Sequence, residues 1–170
     1  MPHLAAAEVC TKRTGWYAGP ALVAGSIYVD EGDVGGEQLV YRFRVAGGLV
    51  AQFCPGERPL LLSVGPVGDL SLVPVFERTK TTAILGAETR AMVSVPYVDL
   101  GIRLAALVEA ARFYDRPDAR RWEVELGPRL RVGLFTLGVD AVYWHGISAS
   151  YGSDGRGFLL SVAVELSSVR

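Results

Sequence analysis

His145 is the residue of this sequence best suited to moving a proton. It lies in the run Ala141-Val142-Tyr143-Trp144-His145-Gly146-Ile147-Ser148. An imidazole titrates near neutrality, so a histidine walled by aromatic side chains is equipped to act as a general base or to anchor a ligand. Strand alternation puts His145 on one face with Tyr143 and Tyr151, and Val142 and Trp144 on the other. Tyr143, His145 and Tyr151 are therefore the candidate ligand-binding residues. The competing reading is structural, a cross-strand polar residue held by a hydrogen bond. No Ser/His/Asp grouping stands beside His145, so no catalytic residue is assigned. Both faces of the strand are apolar, and alternation alone does not choose which one points inward.

Other chemistries find less support. Cys10 and Cys54 are the only cysteines, and no CxxC, HxxxH or HExxH spacing exists, so no metal site is expected. The acidic run with Asp30, Glu31, Asp33 and Glu37 lacks the residue order of a calcium loop. Gly152, Gly155 and Gly157 precede a strand where a phosphate-binding loop needs a helix. No cofactor is expected. Arg42 with Arg44, and Arg129 with Arg131, form guanidinium pairs on strand faces. Such pairs suit an anionic ligand, but the ordinary reading is a solvated outer face. Glu77, Glu88 and Asp99 are carboxylates in mixed surroundings that form no acid/base couple.

The elements that must hold these residues are mostly strands. Leu39, Tyr41, Phe43 and Val45 alternate with Gln38, Arg42 and Arg44. Trp122, Val124 and Leu126 alternate with Arg121, Glu123 and Glu125. Phe158, Leu160, Val162, Val164 and Leu166 share a face opposite Ser161, Glu165 and Ser167. This is the period of half-buried antiparallel strands, with the apolar face expected inward. Turns are expected at residues 30–36, 47–48, 55–56, 65–66 and 152–157. One segment follows a different period. Leu100, Leu104, Leu107, Val108 and Ala111 form a helical stripe, with Asp99 as N-cap and Pro117 beyond its end. The expected fold is mainly β: an antiparallel β-barrel or two-sheet sandwich, with one amphipathic helix over about 100–114 packed against it.

At 170 residues the chain has the size of a single domain, 1–170, with a frayed N-terminus over 1–14. Half of its residues are hydrophobic and 21% are charged, an apolar surplus that a subunit contact or an interior cavity would absorb. The net charge of −1, without a basic patch, argues against nucleic acid. No run reaches the ~18–20 apolar residues of a membrane helix, and the first residues do not form a secretory signal. The expectation is accordingly a soluble, cytoplasmic protein with no membrane span and with reduced cysteines. Its leading function is that of a non-catalytic, self-associating domain, most simply a homodimer. The alternative is a cofactor-independent cyclase or isomerase that encloses an apolar small molecule.

Overall fold

A computed structural model of the chain describes residues 11–31, 34–55, 58–75, 78–113, 121–146 and 154–169. The strands are β1 (Arg13–Glu31), β2 (Val34–Phe53), β3 (Leu60–Val75), β4 (Arg78–Val95), β5 (Val98–Arg112), β6 (Arg121–Val132), β7 (Phe135–Gly146) and β8 (Asp154–Val164). A short β9 (Leu166–Ser167) continues β8 past Glu165 and also pairs with β1. From β1 to β8 each strand runs antiparallel to its sequence neighbour. β1 also pairs with β8, from Ala21↔Ala163 to Asp30↔Asp154. The sheet thus closes into a single eight-stranded barrel, with no edge left open. This is one sheet, so the two-sheet alternative is set aside.

No helix occurs among the described residues. The expected helix over 100–114 is strand β5, and Asp99 caps nothing. Its carboxylate instead accepts hydrogen bonds from Ser94 Oγ and Arg131 Nε, both at 2.5 Å. The stripe was ambiguous because Leu100, Leu104 and Val108, four residues apart, share a strand face as readily as a helix face. In the barrel these three point outward, while Leu107 is buried.

The closing turns follow local chemistry. Pro96-Tyr97 links β4 to β5 with Tyr97 at φ 73°, as a reversal with proline first and a left-handed residue second requires. Gly133-Leu134 links β6 to β7, with Gly133 at φ 60°. These two turns lie at the rim where β1 begins, here called the terminal rim; the opposite one is the distal rim. The turns expected at Gly47-Gly48 and Gly65-Pro66 are absent. These residues lie inside β2 and β3, where the backbones come so close that a Cβ on Gly48 or Gly65 would collide with the facing strand.

The alternation is the one seen in the sequence, but its faces are reversed. Tyr41, Phe43, Val45, Phe158, Leu160 and Val162 are exposed on the outside, and Arg42, Arg44, Glu123, Glu125 and Arg129 are buried inside. Two apolar layers flank this charged interior. Tyr17, Val50, Leu61, Met92 and Val169 fill the terminal end. Ile27, Val29, Val40, Val142, Trp144 and Leu159 fill the distal end. Trp144 fits because Gly155 stands against its indole, where a Cβ would overlap the ring.

Candidate functional site

The lumen is occupied by one connected set of ion pairs. Arg42 on β2 reaches across to Glu123 on β6 with both terminal nitrogens, at 2.5 and 3.0 Å, and to Glu125 at 2.9 Å. Arg44 grips Asp69 on β3 at 2.7 and 2.6 Å and Glu125 at 2.7 Å. Arg103 on β5 donates to Glu88 at 2.6 Å, to Glu125, and to Asp140 at 3.2 Å. Asp140 also takes Arg129 at 2.5 Å. Toward the terminal rim, Glu88 accepts from Arg90 at 2.5 Å and from the Tyr17 hydroxyl at 3.1 Å. Arg90 continues the set to Glu165, and Glu165 to Arg131.

Such burial is tolerable because the pairs are forked and shared, which returns most of the solvation the charges lose. The space left among Arg44, Arg90, Arg103 and Arg129 is a cavity of about 30 Å³. That is room for a water or two, and far below the volume of a substrate pocket. Among the described residues the middle of the lumen is charged, and the space beside its arginines has no room for an apolar small molecule. The arginine pairs expected on a solvated face are part of this filling. A large apolar hollow, about 710 Å³ between Trp16, Leu49, Phe53, Leu62 and Val64, opens on the outside of the barrel.

The histidine cluster is also on the outside. Val142 and Trp144 point inward, which turns Tyr143 and His145 outward. Tyr151 lies outside the described residues. His145 is not solitary, however. Its Nδ1 lies 2.5 Å from Asp154 Oδ1 on β8, and the Tyr143 hydroxyl donates to Asp154 Oδ2 at 3.3 Å. The Trp122 ring on β6 stands 5.8 Å from the imidazole and 5.4 Å from the Tyr143 ring. Strand register explains the gathering, since Trp122 is opposite His145 and His145 is opposite Asp154. The geometry is that of a base with an orienting carboxylate, its Nε2 side free of Asp154. Asp154 and Trp122 were not singled out from the sequence. Asp154 shares the alternating face of Phe158 and Leu160, but only pairing across β7 and β8 reveals its partner.

Among solved structures, the chain resembles the outer membrane enzyme PagL. The two share 11% sequence identity at a TM-score of 0.64, over 86% of this chain and 98% of that one. Neisserial surface protein A, NspA, also resembles it, at 11% identity and a TM-score of 0.47 over 88% and 96%. No family model matches the chain, and no characterised protein matches it in sequence. The fold is thus that of a closed eight-stranded barrel of the kind seen in PagL. This overturns the expectation of a soluble, cytoplasmic, self-associating domain, as well as that of an apolar-lumen cyclase or isomerase. No helix of the described residues is long and apolar enough to cross a membrane, which says nothing of strands.

Cys54 is disulfide-bonded, against the expectation of reduced thiols. Cys10 lies outside the described residues.

Proposed function

We propose that this chain is an integral membrane β-barrel with a sealed interior, and that it works through its outer wall. The observation that carries this reading is the reversal of faces. Apolar side chains cover the outside while charges fill the inside, which would be ruinous in water and is favourable in hydrocarbon. β1 gives the dimension. Its outward residues run from Trp16 through Pro20, Leu22 and Ala24 to Tyr28, with Asp30 beyond. Trp16 and Tyr28 are about 12 residues apart, roughly 40 Å of strand, which a ~45° tilt reduces to roughly 28 Å, close to the apolar thickness of a bilayer. Aromatic residues at both ends of an apolar stretch fit the two interfaces. The disulfide at Cys54 agrees with an oxidising compartment. Flotation of the refolded protein with lipid vesicles, resistant to high salt and alkali, is the test. Protein left at the bottom of the gradient refutes the reading.

The pairing of His145 with Asp154 favours a second reading within the first: an enzyme whose substrate arrives through the bilayer. Base and orienting carboxylate sit on the outer wall at the distal rim, where an amphiphile's headgroup region would lie. The resemblance to an outer membrane enzyme agrees with this. Such a site would hydrolyse a bond near the headgroup, with His145 taking the proton of the attacking hydroxyl or water. The test is fatty-acid release from ester-bearing amphiphiles in mixed micelles. His145→Ala should lower the rate by about 10²–10⁴. Equal rates in the variant and the parent refute the site.

A further inference from the structure

Two residues along β8 from Asp154, on the same outward face, stands Arg156. It is a cation on a wall that is mostly apolar below the distal rim, with Glu37 two strands away in the same row, and it is followed on its own face by Phe158, Leu160 and Val162. Its register neighbours are Tyr28 on β1 and Tyr143 on β7, both exposed. Among the described residues Arg156 makes no ion pair and no hydrogen bond, whereas Arg42, Arg44, Arg90 and Arg103 in the lumen are each tied to two or more carboxylates.

Among the described residues no nearby acid pairs with it. Asp154 is engaged by His145 and Tyr143. Asp30 is opposite Asp154, one row nearer the rim. Glu37, opposite Tyr28, is held by Ser26. A guanidinium facing lipid needs an anion or water, and planar forked donors favour a phosphate or carboxylate. At the depth of Tyr28 and Tyr143, the interfacial girdle of the wall, the anions available are those of lipid headgroups.

We infer that Arg156, flanked by Tyr28 and Tyr143, is the headgroup anchor of the outer-wall site, and that this site takes an anionic amphiphile. The inference rests on the membrane-wall reading above and adds the charge of the ligand. The amphiphile's anion would sit on Arg156 with the Tyr28 hydroxyl beside it, and its tail would follow Phe158 and Leu160 down the wall. The bond next to the headgroup would then lie within one strand row of His145. Arg156 is a positioning residue, apart from the His145–Asp154 pair.

The test uses the refolded protein in phosphatidylcholine vesicles carrying trace spin-labelled phosphatidic acid or spin-labelled phosphatidylcholine. The expected result is a preference for the acidic lipid of about fivefold, the factor set by one basic residue near a charged surface. Arg156→Gln should bring the ratio close to one, and Arg156→Lys should keep part of it. Both should float with vesicles like the parent, and His145→Ala should keep the full preference. Equal association of the two lipids with the parent, or an undiminished ratio in Arg156→Gln, overturns the anchor. Displacement of the acidic lipid by millimolar inorganic phosphate would also overturn it, in favour of a free-anion site. Failure of the parent to float is a different result, and it refutes the membrane reading itself.

Discussion

Arg44 and Asp69 are direct partners across β2 and β3, and their side chains meet in the lumen fork to fork, at 2.7 and 2.6 Å. A register pair of opposite charges on the inner face makes strand pairing and lumen filling one event. Sliding β3 by a single residue would turn Asp69 onto the outer wall and leave Arg44 without its forked partner.

Breaking this pair should be costly. Arg44→Ala leaves Asp69 and Glu125 short of a buried counter-charge, and a loss of about 3–5 kcal/mol is expected. Replacing Arg44 and Asp69 together by Met and Leu should cost much less than the sum of the single changes. Urea unfolding in detergent micelles, read as a double-mutant cycle, measures both. Additive losses would show that the two side chains act independently.

The outer wall should reject charge by depth. Leu22 is 69% exposed, midway along β1 between Trp16 and Tyr28. Leu22→Arg should cost about 2–4 kcal/mol of folding into a bilayer, as a cation does at the midplane. Asp30→Arg, at the rim, should cost close to nothing. Equilibrium folding into vesicles compares the two, and equal costs would contradict the placement of the wall.

The barrel should be electrically silent. Among the described residues apolar layers lie at both ends of the lumen, and the space among its arginines is about 30 Å³. No steady single-channel conductance is expected in planar bilayers at ordinary salt, and reproducible steps from purified protein would refute the sealed lumen.

Gly138 marks a crowded point in the lumen. A Cβ there would overlap the Arg129 guanidinium, which holds Asp140 at 2.5 Å, and would press on Ser161. Gly138→Val should destabilise the barrel by about 1–3 kcal/mol through overpacking. Gly36, with open space around its Cβ position, should accept Ala with little change. Thermal or denaturant unfolding of both variants decides it.

Much of this fold was legible as alternation. The faces containing Tyr41, Phe43 and Val45, or Phe158, Leu160 and Val162, were grouped correctly, and a barrel was among the expected architectures. The direction of those faces was not legible, because period two is the same whether the apolar side meets a core or a lipid. A hint lay in the opposite faces. Arg42 and Arg44, and Glu123 and Glu125, pair oppositely charged strands, and arginines outnumbering lysines suit forked buried pairs better than a hydrated surface. Helical and strand periods nearly coincide at spacings of four and eight, which is why the sequence of β5 reads as a helix. For the site, His145 and Tyr143 were found by residue type, while Asp154 and Arg156 needed the register of β7, β8 and β1.

The single long-range seam of the barrel, β1 against β8, governs the order in which the molecule can come together. Apart from the short β9 that extends this seam, all other pairings join hairpin neighbours, but Ala21 must find Ala163, which makes ring closure the slow, entropically expensive step of the folding path. His145 and Asp154 belong to one hairpin and can meet early. Tyr28 reaches Arg156, and Glu165 reaches Arg90, only once the last strand has docked. A nascent or truncated chain therefore holds the proton-transfer pair without its complete headgroup cradle, so lipid capture becomes a property of the finished ring.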